Sequence, residues 1–482
     1  MLYNYLSLKQ YLYYIIISMT KLTTNGYTIR KSDYTTKEIK EIKDELSVRP
    51  YTFNKNQNKE SGFQVFMESP KKLYLPRFYG LKRFGPPETN NISEGEKVDM
   101  KFNGSLRPEQ LPIEELYLKN AREKGGGIIS IKCGGGKTVL SLHIASILSV
   151  KTVVVVHKDF LMTQWRDRIM EFLPTARIGK IQQNTVDIEN KDIVLAMVQS
   201  LSMKEYEEGA FDSFGLAIFD ECHHLGAEVF SKSMAKVASK YMLGLSATPK
   251  RKDGLSKVFE WYMGDIVFNQ VKKNEDYAEV QLIDCNFDDE KYNKEELNFR
   301  KEPCMPKMIN NICEYLPRTK LIIDLTLKYN TEGRSVLILS DRRGHLKCMY
   351  DLLKDHSRGY YVGGMKPDEL RESQEKDILL ATFSMAAEGM DIPKLDTVIL
   401  ASPKSDVEQS VGRVFRKKAC DREFHPLIID LQDKFSMFEN QCNKRITLYR
   451  KLNFTLFKDG EEIKKKTRKK KEKVKQFSLI DD

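Results

Sequence analysis

The sequence predicts an α/β protein with two tandem domains, each a parallel sheet with helices on both faces. The first observation is that short runs of apolar, β-branched residues alternate with helical patterns from residue 125 onward. The second is that this alternation begins again after a more charged stretch at residues 265–320. Strands that are apolar at every position are typical of parallel sheets, because both faces of such a sheet are buried.

The predicted elements follow the two halves in order. Strands are predicted in the first half at residues 127–131, 152–156, 193–197, 216–219 and 242–245, and in the second half at residues 335–340, 360–362, 378–381, 397–401 and 427–431. Helical spacing of apolar residues predicts helices between them. These helices are expected at residues 138–148, 160–172, 320–328, 345–354 and 406–415.

The length of 482 residues suits about three domains. We expect an N-terminal region that could be an accessory nucleic-acid-binding element, a first α/β domain, a connector, a second α/β domain and a basic tail. Their predicted bounds are residues 1–100, 101–265, 266–318, 319–455 and 456–482.

The composition excludes several classes of protein. Charged residues make up 30% of the chain and hydrophobic residues 41%, which suits neither a disordered chain nor a membrane bundle. The eight cysteines form no C-x-x-C pair, which argues against a zinc site. Eight cysteines in a chain of this length are also too sparse for a disulfide scaffold. We therefore expect an intracellular protein that is not secreted.

An uncharged, aromatic-rich run at residues 11–19 is too short to span a bilayer, which needs about 20 residues. It also lacks the basic start and the cleavage site of a signal peptide. We interpret it as an extension, or as sequence upstream of a true start at Met19, and we expect no membrane partner.

Positive charge is concentrated at the C-terminus. The net charge is +11, and residues 464–475 hold nine basic residues and one acid. This tail could be an electrostatic arm on nucleic acid, a nuclear localisation signal or a solvated helix end. A second basic stretch, at residues 70–84, interleaves aromatic residues, which suits either base stacking or a surface hairpin with buried rings.

A glycine-rich segment follows the first predicted strand and opens a helix. Glycines in that context let backbone N–H groups surround phosphate oxygens at a helix N-terminus. Lys137 would reach the β- and γ-phosphates of a nucleotide, and the Thr138 hydroxyl would bind Mg²⁺. The predicted phosphate-binding residues are Cys133, Gly134, Gly135, Gly136, Lys137 and Thr138.

Two acids, Asp220 and Glu221, directly follow the strand predicted at residues 216–219. The carboxyl ends of parallel strands face the ligand crevice. Asp220 is therefore expected to hold Mg²⁺ through water, and Glu221 to orient and deprotonate an attacking water.

The ordered series of motifs resembles that of the superfamily 2 DExH-box helicases over residues 104–432. The further motifs are LRPEQ at 106–110, SATP at 246–249, EGMDIP at 388–393 and QSVGRVFR at 409–416. Together they are most similar to the XPB/UvsW-like branch and to helicases of large nucleocytoplasmic DNA viruses, such as the poxvirus transcript-release helicase.

The resemblance implies two RecA-like domains and an ATP-hydrolysing helicase or translocase with ATP and Mg²⁺ as cofactors. It assigns adenine recognition to Gln110 and neutralisation of charge on the γ-phosphoryl group to Arg413 and Arg416. It also implies that the Ser246, Ala247 and Thr248 motif couples hydrolysis to strand movement. We expect a viral product, in the host cell or the virion, with nucleic acid and the transcription machinery as partners.

The resemblance also suggests nucleic-acid contacts, although a role in capping loops would equally explain each of these residues. They are His157, Lys158, Gln199, Ser200 and Thr382. The sequence leaves DNA and RNA open, and it leaves processive unwinding and translocation without unwinding open. A non-hydrolysing scaffold is disfavoured because the catalytic residues are all present, and a simple phosphate-loop kinase would not need the second domain.

Overall fold

The computed structural model describes residues 20–49, 62–131, 135–221, 227–247, 254–270, 277–388, 390, 392–415, 417 and 421–463. The chain divides into two compact units, with the boundary between residues 272 and 273. In the described ranges, no helix is both long enough and apolar enough to cross a membrane.

The first unit begins with a small module built on an antiparallel hairpin. Its elements are β1 (Lys21–Thr23), β2 (Gly26–Arg30), a 3-10 turn (Lys31–Asp33), α1 (Thr36–Glu45), β3 (Ser47–Val48), β4 (Phe63–Gln64), β5 (Met67–Glu68), β6 (Lys72–Leu75), α2 (Arg77–Phe84) and β7 (Thr89–Asn90). Five of the strands form a sheet in the order β5-β6-β2-β1-β7.

The rest of the first unit is a doubly wound α/β domain. Its elements are α3 (Leu111–Lys124), β8 (Gly126–Ser130), α4 (Lys137–Leu148), β9 (Thr152–Val156), α5 (Asp159–Phe172), β10 (Ile178–Gln182), β11 (Thr185–Asp187), β12 (Ile193–Met197), α6 (Val198–Met203), β13 (Leu216–Phe219), α7 (Ala227–Lys236), β14 (Tyr241–Ser246), α8 (Ser256–Met263) and β15 (Ile266–Asn269). The strand order is β11-β10-β12-β9-β13-β14-β8-β15, and neighbouring strands are parallel except for the β10–β11 pair.

The apolar strands of this sheet are buried on both faces. Successive side chains of a strand point to opposite faces. Val153 and Val155 accordingly belong to one hydrophobic core, and Val154 and Val156 belong to another. This explains why β9 is apolar at all of its central positions and confirms the predicted fold class for this domain.

The N-terminal module packs on the first of these two cores. Its α2 helix lies against α8, and the ring of Tyr79 meets that of Trp261 edge-on at 5.5 Å. Arg77 donates to the carbonyls of Ser239 (3.2 Å) and Lys240 (2.9 Å). In the basic, aromatic stretch at residues 70–84, Tyr79 is therefore a packing residue and Arg77 an anchor.

The second unit repeats the α/β architecture. Its elements are β16 (Glu279–Cys285), α9 (Met305–Glu314), α10 (Leu316–Thr331), β17 (Val336–Ser340), α11 (Arg343–Leu352), β18 (Arg358–Tyr361), α12 (Pro367–Gln374), β19 (Ile378–Thr382), α13 (Phe383–Glu388), β20 (Thr397–Leu400), α14 (Glu408–Val411), a 3-10 helix (Gly412–Phe415), β21 (Leu427–Asp433), α15 (Phe438–Lys451), β22 (Thr455–Lys458) and β23 (Glu461–Glu462). The strand order is β18-β19-β17-β20-β21-β16-β22-β23, parallel except for β22–β23.

The predicted connector at residues 266–318 contains strands of both sheets. β15 pairs with β8 in the first sheet, and β16 lies between β21 and β22 in the second. The helices α9 and the start of α10 also fall within it. Each end of this stretch is thus part of a folded domain.

Candidate functional site

The site lies in the first unit, at the carboxyl ends of β8, β14 and β13, which are neighbours in the sheet. The N–H of Ile131 donates to the carbonyl of Ser246 over 3.0 Å, which joins the start of the glycine-rich loop to the end of β14. Two of the predicted phosphate-binding residues, Cys133 and Gly134, lie outside the described residues.

The helix that follows the loop begins without a side-chain cap. Gly136 precedes α4 with φ +75°, a left-handed conformation that favours glycine. Because glycine has no side chain, it offers no hydrogen bond to the first-turn N–H groups of α4. These N–H groups and the positive end of the helix dipole suit an anion such as a phosphate.

Lys137 and Glu221 form an ion pair at the centre of the site. Lys137 Nζ lies 2.8 Å from Glu221 Oε1, and the two side chains are 11% and 14% exposed. Glu221 is the second residue after β13 and has φ +46°, a left-handed conformation that costs a non-glycine residue about 1–2 kcal/mol. The turn therefore directs this carboxylate towards the lysine at some cost in backbone energy.

Asp220 lies beside this pair in a buried position. Its Oδ2 accepts a hydrogen bond of 2.8 Å from the indole Nε1 of Trp165 on α5. The pKa of Asp220 is raised to about 6, chiefly by burial and then by the Glu221 carboxylate, against the opposing effects of Lys137 and Trp165. Asp220 is therefore mostly ionised at neutral pH.

The buried amide of Gln110 holds the glycine-rich loop. Its Oε1 accepts from the N–H of Arg107 (3.0 Å), and its Nε2 donates to the carbonyls of Gly135 and Gly136 (both 3.1 Å). A Cβ added at Gly136 would lie 2.5 Å from Gln110 Nε2, so this contact requires glycine there. The predicted contact with adenine remains a prediction.

The predicted coupling motif extends the end of β14. Ser246 is the last residue of the strand and is fully buried, and Ala247 follows it in a half-buried position. Thr248 lies outside the described part of the chain. Since the carbonyl of Ser246 accepts from Ile131, this motif is in direct backbone contact with the start of the phosphate loop.

Four of the residues suggested for nucleic-acid contact lie at the ends of β9 and β12, which are parallel neighbours. Gln199 Nε2 donates to the carbonyl of His157 over 3.0 Å. Lys158 is the N-cap residue of α5. The buried Ser200 accepts the N–H of Gln183 at its Oγ (2.9 Å), which is a loop-capping contact. The structure therefore brings these four residues together at one edge of the sheet.

The remaining predicted residues belong to the second unit. Thr382 Oγ1 accepts the N–H of Met385 (3.4 Å) at the start of α13. Arg413 is buried, and its guanidinium donates to the carbonyls of Met390 (2.8 Å) and Ala386. Arg416 lies outside the described residues.

The donor set fits a magnesium ion that is bound partly by a nucleotide. In the ranges that the structure describes, no three His, Cys, Asp or Glu side chains form a cluster able to hold a metal. Mg²⁺ in nucleotide sites typically uses one or two protein oxygens, with phosphates and waters completing its coordination. One hydroxyl (Thr138) and one carboxylate (Asp220) are compatible with that arrangement.

Two contacts in this site do not follow from the sequence. Nothing in the sequence links Trp165 to Asp220, which lies 55 residues away. The contact of Gln110 with the loop was also missed, because it joins a helix start to a loop 25 residues further on.

Comparisons with known proteins identify a helicase family for the chain. The profile of the family "Type III restriction enzyme, res subunit" matches residues 103–251, and that of "Helicase conserved C-terminal domain" matches residues 317–418. A protein of Acanthamoeba polyphaga mimivirus, named "Putative ATP-dependent RNA helicase", is 35% identical over 462 residues, which cover 93% of this chain and 88% of that protein.

A second viral protein and a solved structure show weaker similarity. A protein of Invertebrate iridescent virus 6, named "Putative helicase", is 26% identical over 381 residues, covering 73% of this chain and 83% of that protein. The crystal structure of T4 UvsW aligns with a TM-score of 0.36 and 19% identity, covering 88% of this chain and 96% of that one.

Proposed function

This chain belongs to the superfamily 2 helicases, which are ATP-dependent, and on that premise we propose that it is a nucleic-acid motor. It would use ATP hydrolysis to unwind a nucleic acid or to move along it. We further propose that it belongs to the XPB/UvsW-like branch and acts in viral transcription or repair, with the transcription machinery as a partner.

The observation that supports this proposal best is the 2.8 Å ion pair between Lys137 and Glu221, with Asp220 beside it. An ammonium group, an acid that can act as a base and a second buried acid meet where an uncapped helix begins. Hydrolysis of a nucleoside triphosphate needs these three groups, because it requires phosphate binding, activation of a water molecule and a metal ligand.

In the proposed reaction, the phosphates of ATP bind at the N-terminus of α4, and Lys137 exchanges its contact with Glu221 for one with the phosphates. Glu221 is then free to orient a water molecule and accept its proton. Mg²⁺, when bound, neutralises phosphate charge, and Thr138 and Asp220 are the residues that would hold it. Arg413 and Arg416 are proposed to neutralise the charge that develops on the γ-phosphoryl group.

The proposed substrate is a polynucleotide held mainly through its backbone phosphates. The contact residues would include His157, Lys158, Gln199, Ser200 and Thr382. The name of the mimivirus relative makes RNA the first substrate to test. A translocase that displaces bound proteins or transcripts without processive unwinding is the second candidate, because the same ATP site would serve it.

The proposal is tested by comparing ATP hydrolysis without polymer and with single-stranded DNA, duplex DNA or RNA. Stimulation by at least one polymer is expected, and strand-displacement assays on that polymer then separate unwinding from translocation. The matched control is Lys137→Ala, which should remove hydrolysis under all conditions. Hydrolysis that no polymer changes, with no detectable polymer binding, would contradict the proposal.

A further inference from the structure

A turn in the second unit exposes an aromatic ring to solvent. Phe299 is 90% exposed, the highest value among the exposed large hydrophobic side chains in the described part of the chain. It lies between β16 and α9, within the sequence Asn298-Phe299-Arg300-Lys301. These four residues are called the aromatic tip below.

The aromatic tip is held in a defined conformation. Leu297 and Pro303 form an antiparallel bridge, and the backbone of Asn298 bonds with that of Glu302 (2.9 Å) and of Lys301 (3.0 Å). The side-chain oxygen of Asn298 accepts the N–H groups of Arg300 (2.8 Å) and Glu302 (3.1 Å). The ring of Phe299 is therefore carried by a braced turn.

The segment that leads to the turn is anchored in the core of the second unit. Tyr292 is buried, and its hydroxyl donates to Asp433, which also binds Arg318 Nε at 2.9 Å. Glu295 Oε1 accepts from the hydroxyl of Ser436 (2.7 Å). These contacts connect the aromatic tip to the end of β21.

The charges at the tip favour a polyanion. Arg300 and Lys301 are exposed, and the guanidinium carbon of Arg300 lies 5.3 Å from the centre of the Phe299 ring. Of the acids that flank the tip in the sequence, Glu296 forms an ion pair with Lys294 (3.1 Å), whereas Glu302 accepts from the neutral Asn298 amide (3.3 Å) and keeps its charge. An exposed ring flanked by cations can stack on a base while the cations contact phosphates.

We propose that the aromatic tip binds an unpaired base of a single-stranded nucleic acid, with Phe299 stacking on the base and Arg300 and Lys301 contacting the flanking phosphates. This inference rests on the proposed function, since it names a further contact of the same polymer. Every base offers a face for stacking, so the contact would not depend on sequence.

The first test is the affinity of the full-length protein for single-stranded RNA and DNA oligonucleotides. Phe299→Ala should weaken binding by about 5- to 150-fold, the range measured for loss of one base–aromatic stack. Phe299→Tyr, which keeps the ring, should bind like the wild type, and Phe299→Leu, which keeps apolar bulk only, should bind weakly. Leu352→Ala, at a 51% exposed position on α11, is the control that should change neither binding nor basal hydrolysis.

The second test places a reporter at the tip. Phe299→Trp should lose tryptophan emission when an oligonucleotide binds, because a stacked base quenches the indole, whereas Leu352→Trp should not. If the wild type binds no polymer, the proposed function fails. If the wild type binds but Phe299→Ala binds equally well and Phe299→Trp is not quenched, the function stands and the aromatic tip has another role, such as docking a protein.

Discussion

The indole Nε1 of Trp165 donates a hydrogen bond of 2.8 Å to Asp220 Oδ2, so a core residue of α5 holds the buried acid of the site. The pKa of Asp220 is raised to about 6 from its ordinary value of 3.8, chiefly by burial. The ionised carboxylate therefore makes the fold less stable than a neutral group at the same position would. The proposed role of Asp220 in an ATP site would account for a buried charge that does not stabilise the fold.

We predict that Asp220→Asn stabilises the protein. Because the pKa is higher in the folded state, this group stabilises the fold below the unfolded-state pKa, and the contribution is lost as the pH rises through about 6. At pH 8 the free energy of unfolding of the variant should exceed that of the wild type by about 3 kcal/mol. The pKa shift is about two units, and each unit corresponds to about 1.4 kcal/mol. This difference in the free energy of unfolding should fall to about half by pH 5.

Thermal melting in EDTA without nucleotide measures this difference at each pH. Asp212→Asn, at an exposed position of the same unit, is the control and should melt like the wild type. If Asp220→Asn melts at or below the wild-type temperature at pH 8, the buried charge of Asp220 does not destabilise the fold.

We predict that the protein prefers ATP to GTP. The substitution Gln110→Ala should narrow the difference between kcat/KM for ATP and kcat/KM for GTP. The amide can both donate to and accept from the adenine edge, a pattern that guanine reverses. Because Gln110 Nε2 also donates to the carbonyls of Gly135 and Gly136, the variant should raise KM for both nucleotides. Steady-state kinetics with both nucleotides measure the two effects, and equal use of ATP and GTP by the wild type would argue against adenine recognition.

We predict that removal of residues 464–482 weakens nucleic-acid binding and reduces its salt dependence. Nine of the twelve residues at 464–475 are basic. Each phosphate that the protein neutralises adds about 0.7–0.9 to the slope of log affinity against log salt, so the slope should fall by several units. Salt titrations with the full-length and shortened proteins measure it. An unchanged slope together with an altered cellular distribution would favour a localisation signal instead.

The parts of the fold that follow from local pattern could be predicted from the sequence. β9, β12 and β13 have the predicted bounds, because each is a short, mainly apolar run that follows a more polar segment. β16 was missed because its sequence, EVQLIDC, mixes polar and apolar residues, although it lies inside the second sheet.

The site likewise contains residues that short motifs reveal and contacts that only the folded chain creates. The chemistry proposed for Lys137, Asp220 and Glu221 could be inferred from residue type and position, because short motifs contain all three residues. The contacts of Trp165 with Asp220 and of Gln110 with Gly136 join segments distant in the chain, so only the packing of α5 and α3 against the sheet defines them. The exposure of Phe299 likewise depends on a turn held by Asn298.

We propose that Lys137 binds the phosphates and Glu221 deprotonates the water in an ATP site that drives a nucleic-acid motor. The most direct measurement is ATP binding and steady-state hydrolysis by Glu221→Gln, with and without a stimulating polymer, beside the wild type. We expect the variant to bind ATP but to lose turnover by about 10²–10⁴-fold, because an amide cannot accept the proton. Hydrolysis by Glu221→Gln at the wild-type rate would contradict this proposal.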